Sequence, residues 1–301
     1  MAIDESILAP YVNAETLLEA ERELDRLTDR GDELPAPLGD LYDELAEHAA
    51  DQDDYDVAAR LERKAIDAGC TRLGVAREMY GWYLLKAGAT IEGEAVFAEL
   101  CAEAPDDPHV RMALGHARSD AGRQDAALDA FDEALAAAKR RGFRKEIDRA
   151  RIERRAEREH FGLEPDEEDA LAPAPISPPR SSLLAIALAW FPPDQREAAL
   201  RQWPDLTADF EDPRAYARRL EEHLRVLDRD LGQHPSVAPI DVGDFLSWAV
   251  SEGYDPGSGE ARSAYAVHLK QTGRTIAWPP GRNDACWCRS GRTYKRCCGA
   301  S

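Results

Sequence analysis

Four of the six cysteines in this 301-residue chain fall within thirteen residues, as Cys286-Trp287-Cys288 and then Cys297-Cys298. Thiolates at that spacing can converge on one soft divalent ion, and four of them fill a tetrahedral shell with no position left for a substrate. The expected site is therefore structural, with one zinc per chain as cofactor. Two disulfides built from a Cys-x-Cys pair and an adjacent Cys-Cys pair would be sterically awkward. Clustered cysteines in a large chain of a reducing compartment read as metal ligands more than as a disulfide framework. The intervening loop, Arg289 to Arg296, contains Gly291 to permit a turn and several cations to offset the charge left on four thiolates around a divalent ion. So short a segment cannot bury enough apolar surface to fold unaided, and structural zinc supplies roughly 10 to 16 kcal/mol of apparent binding free energy. The other two cysteines, Cys70 and Cys101, read as core residues.

Around the ligands, Gly281-Arg282-Asn283-Asp284, Ser290-Gly291 and Tyr294-Lys295-Arg296 complete a pattern that resembles the SEC-C motif, the zinc-binding tail of the SecA motor. Arg289 stands where that family usually has glycine, and Cys298 stands where some members have histidine. The resemblance covers residues 281–301 and implies a protein-docking knuckle whose partner-facing residues are Arg292, Tyr294, Lys295 and Arg296. In SecA that tail binds the SecB chaperone and approaches ribosomes. Nothing in the rest of the chain resembles the motor, and no phosphate-cradling G-x-x-x-x-G-K-S/T is present.

The elements that carry this site are expected to be helical. Gly81, Gly93 and Phe97 recur 34 residues later as Gly115, Ala127 and Phe131, and in an earlier copy at a 35-residue offset Ala46, Ala58 and Ala65 stand where Gly81, Gly93 and Leu100 stand. Small residues recur where two helices touch and a bulky side chain fills the space between, which makes each copy a helical hairpin. The pattern resembles the tetratricopeptide repeat over residues 38–140, in a domain spanning 1–160, with a helix from Asn13 to Arg30 covering one end and the charged run Phe143 to His160 the other. Residues 161–181, acidic and rich in proline, read as a linker that packs no core. Residues 182–280 read as a helical domain, with Ser182 to Trp203 as its first helix, a stripe of Tyr216, Leu220, Leu224 and Leu227, and Trp190, Phe191, Trp203, Phe210, Phe245 and Trp248 as its core. The fold class is all-α: a tetratricopeptide-like solenoid, a helical middle domain and a zinc knuckle at 281–301.

The net charge of −20 disfavours general affinity for phosphate backbones or anionic membranes. The start lacks the charged and apolar stretches of a secretory signal, and the longest apolar run falls well short of the roughly 20 residues that span a bilayer, so a cytoplasmic protein is expected. In the repeat frame the groove-facing positions are Asp40, Asp43, Glu47, Glu78, Trp82, His109, Met112 and His116. That acidic groove should refuse acidic peptides and attract a basic partner, the knuckle's own Arg282, Arg289, Arg292, Lys295 and Arg296 among the candidates. No nucleophile with a base and an orienting group is evident, so the expected function is docking of protein partners and not catalysis. RNA or ribosome binding through Trp287, Tyr294 and the knuckle arginines is one alternative, and an unrecognised active site between Ser182 and Thr272 is the other.

Overall fold

The computed structural model describes residues 17–32, 34, 36–173, 187–204, 212–231 and 235–300. Met1 to Thr16, the linker residues 174–181 and Phe210 lie outside the described residues. The chain divides into two compact units, Met1–Gly142 with Ile147–Pro173, and Phe143–Glu146 with Ala174–Ser301. Among the described residues no helix is long and apolar enough to cross a membrane.

The first unit is built of paired helices. After α1 (Leu17–Arg30), three hairpins follow: α2 (Leu38–Ala50) with α3 (Tyr55–Asp67), α4 (Leu73–Lys86) with α5 (Thr90–Glu103), and α6 (Pro108–Asp120) with α7 (Gln124–Arg141). Asp107 starts α6, its carboxylate accepting from the His109 amide while Pro108 occupies the first helical position, where no amide donor is missed. The repeat shows in the packing. A Cβ at Gly81 would stand 2.8 Å from the Phe97 ring, and one at Gly115 would stand 2.7 Å from the Phe131 ring. Glycine at these positions lets helix backbone and aromatic ring touch. The hairpin turns repeat too, with Gly88 and Gly122 in the left-handed region at φ 86° and 73°. Counting back from Gly88 and Phe97 by 35 residues reaches Asp53 and Glu62. Asp53 takes the left-handed turn at φ 59° despite its side chain, and Glu62 occupies the place of the phenylalanine with none of its surface exposed.

Residues 147–160 of α8 (Arg144–His160) cap the last hairpin. The acidic segment that follows is not a bare linker. A single helical turn at Asp169–Leu171 sits against α8, where buried Arg154 is gripped by Asp132, Asp166 and Asp169, and Arg158 pairs with Asp169 at 3.0 Å. The arginine-rich face of α8 gives this acidic stretch a docking surface that composition alone does not reveal.

The second unit is mainly helical but contains a three-stranded sheet in the order β1 (Ala187–Trp190), β2 (Ser236–Pro239), β3 (Ile276–Ala277). The sheet departs from the helix expected over Ser182 to Trp203. Pro192 and Pro193 stop the segment, and a short apolar run cannot be assigned to helix or strand by periodicity alone. β1 and β2 run parallel with Ala187 opposite Ser236, so the connection between them crosses over through α9 (Arg196–Gln202) and α10 (Pro213–Leu231). β3 returns antiparallel to β2. Alternate β2 side chains serve two cores. Ala238 joins Phe191, Phe245, Tyr265 and Leu269 against α11 (Val242–Glu252) and α12 (Gly259–Gln271). Val237 joins Trp190, Leu224, Trp278, Trp287 and Tyr294. The cysteine-bearing segment thus supplies part of the second core instead of hanging from the domain as a separate appendage.

Candidate metal centre and the cleft beside it

The knuckle is laced by its own backbone. The Cys286 amide donates to the Arg292 carbonyl at 2.9 Å, Tyr294 to Asp284 at 2.8 Å and Lys295 to Arg282 at 3.1 Å, with Ala285 bridged to Thr293. The Asp284 carboxylate accepts from the Gly281 amide, and a Cβ at residue 281 would meet that carboxylate at 2.5 Å, which accounts for the glycine. Gly291 lies at φ 75° and Arg289 at φ 56°. The Arg289 position is thus one a glycine fills without strain and an arginine at a cost of about 1 kcal/mol.

This lacing brings Cys286, Cys288, Cys297 and Cys298 together, all four sulfurs within 4.8 Å of one another. The Cys288 sulfur lies 3.4 Å from that of Cys286 and 3.5 Å from that of Cys297, and all the cysteines are free. A tetrahedron with metal–sulfur bonds of about 2.3 Å has edges of about 3.8 Å, so the donor set fits a zinc-sized ion. Four thiols at this spacing cannot all ionise in one another's company without a cation. Donation from Cys298, then from Ser290 and the other thiols, draws the Cys288 thiol well below its usual value, while its hydrogen bond to Cys288 and its burial drive Cys298 upward.

A buried carboxylate on α10 anchors the knuckle to the sheet. Glu221, 3% exposed, accepts from Trp278 Nε1 at 3.0 Å and Trp287 Nε1 at 2.8 Å on one oxygen, and from Tyr294 Oη at 2.5 Å and Arg225 Nε at 3.1 Å on the other. Arg225 also donates to the Cys298 carbonyl at 3.1 Å. Burial, then the hydrogen bond to Glu221, raises the Tyr294 phenol far above its usual range. Trp287 meets Trp190 edge to face at 5.3 Å, and Arg289 lies over the Trp190 ring and pairs with Asp194 at 3.5 Å.

Beside the sulfurs opens a cleft of about 570 Å³ between the end of β1, the start of α9, the first turns of α10 and the knuckle loop. Cys288, Cys297 and Cys298 form one wall. Arg196, Arg214, Arg218, Arg292 and Arg296 all reach it, and among the described residues no acidic side chain lines it.

The other residues expected to face partners fare unevenly. Arg292, Lys295 and Arg296 are exposed, but Tyr294 points inward and Trp287 is 1% exposed, so neither ring is free to stack on a base. In the repeats, Met112 is buried in the core. Asp43 is buried, and both it and Glu47 are held by Arg72, at 2.5 and 2.9 Å. Glu78 is half-buried, and Trp82 donates to Asp120 at 2.9 Å. His116 stays exposed but pairs with Glu153 of α8 at 3.5 Å, which raises its pKa through that hydrogen bond. The acidic groove is therefore partly neutralised from within, because Arg72 reaches both Asp43 and Glu47 and Thr71 donates to Asp40. Sequence reasoning missed Glu221, Trp278 and the arginines of α9 and α10. The available signal for Glu221 was its place between Ala217 and Leu224 on the apolar face of α10, where an acid needs donors and the tail offers two indoles and a phenol.

Residues 282–300 match the sequence model of the SEC-C motif, and residues 185–280 match that of a Domain of unknown function (DUF8829). No curated protein matches the chain. A solved structure described as MamA AMB-1 is similar at 16% identity and a TM-score of 0.29, over 52% of this chain and 89% of that one. The chain thus carries a SEC-C motif with a cysteine cluster suited to a metal, beside helices in a repeating arrangement.

Proposed function

We propose that the protein is a zinc-containing adaptor that docks protein partners, with the metal-held knuckle as its primary contact surface and the helical repeats as a second one, in a cytoplasmic setting. The observation that carries this reading is the division of labour in the knuckle. Trp287 and Tyr294 are turned inward onto Glu221, while Arg282, Arg292, Lys295 and Arg296 are left on the outside. Cys286, Cys288, Cys297 and Cys298 would hold the ion, whose contribution is to close the fold with no open coordination position. The SEC-C motif directs the search for partners to export chaperones of the SecB kind and to ribosomes.

Two measurements test the reading. Metal analysis should find one zinc per chain, lost in a Cys297→Ser, Cys298→Ser variant. Arg282→Glu with Lys295→Glu, two exposed positions outside the cleft, should keep the zinc and abolish binding to whichever of purified SecB-type chaperone or ribosomes the native chain binds. Binding that survives both charge reversals would remove the knuckle as the docking surface.

A further inference from the structure

The cleft beside the cysteines is not needed for docking through an outer surface, and its chemistry is specific. Its five guanidinium groups come from three separate stretches of chain: Arg196 at the start of α9, Arg214 and Arg218 on α10, and Arg292 and Arg296 on the knuckle loop. Arg218 has Asp212 at 3.9 Å. The other four have no carboxylate partner among the described residues, and Arg196 Nε is buried with no hydrogen-bond partner there. Bringing like charges into one concavity is unfavourable unless something anionic occupies it. Four thiolates around one divalent ion leave a charge of only about −2 on the adjoining wall, too little to balance five cations. Apart from the arginines, the cysteines and Ser290, the lining is apolar and includes Trp190, Pro193, Tyr216 and Ala217.

We infer that this cleft binds a nucleotide, a compact ligand whose di- or triphosphate is held by the converging arginines and whose ring lies against the apolar lining that includes Pro193 and Tyr216. Planar guanidiniums match phosphate oxygens in pairs, and several of them around one cavity suit charge concentrated on adjacent phosphates better than carboxylates spread along a peptide. The cavity volume falls within the range of about 300 to 1,000 Å³ typical for a single small ligand. A long polyanion is disfavoured, because beyond the cleft it would meet a chain with 58 acidic and 38 basic residues. The inference rests on the knuckle being metal-held, since the knuckle forms one wall, but it needs no docking partner.

The test is calorimetric titration of the zinc-loaded full chain with ADP, pyrophosphate, adenosine and a short oligoadenylate, with metal content measured in every sample. ADP should bind more tightly than pyrophosphate, adenosine should not bind, and raising the salt should weaken ADP as screening grows. Two variants at exposed positions, Arg214→Ala with Arg218→Ala and Arg292→Ala with Arg296→Ala, should each weaken ADP at least tenfold while retaining one zinc. No ADP binding at millimolar concentration, ADP affinity unchanged from the native chain in either variant, or binding of the oligoadenylate without ADP would each overturn the assignment, and pyrophosphate matching ADP would overturn its nucleotide part. A failed docking test with intact ADP binding would leave the cleft assignment standing.

Discussion

Among the buried glutamates of the described residues, Glu62 in the first unit and Glu221 in the second have opposite surroundings. Glu62 on α3 has no exposed surface, no donor group reaches its oxygens, and the acids Asp43 and Glu47 lie near enough to repel a second charge. Glu221 on α10 is nearly as buried, yet two indoles, a phenol and a guanidinium converge on its two oxygens. Burial alone therefore does not tell what an acid does in a fold; the donors brought to it decide. In the first unit the acid stands where the sister repeats carry an aromatic ring. In the second it is the joint between the sheet domain and the knuckle.

The largest expected effect comes from breaking the better-satisfied site. Glu221→Ala strands three donors and an arginine, and removing one partner of such a buried network costs about 3 to 5 kcal/mol. Denaturant unfolding of the zinc-loaded protein should show that loss confined to the second unit, whose core is separate. A cost below about 1 kcal/mol would mean the network contributes geometry and little energy.

Glu62 should respond to pH in a way that Glu221→Ala does not disturb. Burial first, then the negative Asp43, raises its folded pKa well above the ordinary value of 4.5. The folded chain then keeps a proton that the unfolded chain releases, so this stability contribution is full below about pH 4.5 and is lost progressively as the pH rises toward the raised value. Glu62→Gln removes the titration and should make the first unit about 1 to 3 kcal/mol less sensitive to pH between 5 and 8, the range for an unsatisfied buried polar group. Parallel melting curves at those two pH values give the answer, and an unchanged slope would show that Glu62 ionises freely.

A smaller effect separates the first repeat from its sisters. Glu62→Phe alone should press its ring onto Ala46, because a Cβ at the equivalent Gly81 and Gly115 falls 2.8 and 2.7 Å from the phenylalanine rings. Adding Ala46→Gly should rebuild the sister geometry, and the double-mutant cycle should show a favourable coupling of about 1 to 2 kcal/mol. Additive single effects would mean that the first hairpin packs differently from the other two. Smallest of all, Arg289→Gly relieves the left-handed backbone but gives up an exposed ion pair and the cation over Trp190, leaving a net gain below about 1 kcal/mol. Equilibrium unfolding would reveal any larger gain, and with it a strained loop.

The contrast also marks what was legible in the residues. Four cysteines close in sequence had few ways to be arranged, so their cluster could be read directly, and the glycine–phenylalanine spacing made the repeats legible in the same way. Glu221 could not be read, because its donors arrive from 57, 66 and 73 residues away and only the β1–β2–β3 pairing brings them in. The strand at Ala187–Trp190 escaped because its partner at Ser236–Pro239 lies far along the chain, beyond α9 and α10. The acidic stretch Asp166–Asp169 reads as linker in the sequence because its counter-charge, Arg154, lies on α8. Local pattern is visible in a sequence, and compensation from a distance is not.

The shared acceptor of Trp278 and Trp287 gives this region an optical signature. Near-ultraviolet circular dichroism reports aromatic side chains held in fixed packing, and here two indoles meet on one carboxylate while a third, Trp190, stands edge-on to Trp287. The state of the knuckle can therefore be followed in the spectrum of the native protein, without a label, as metal is added or withdrawn.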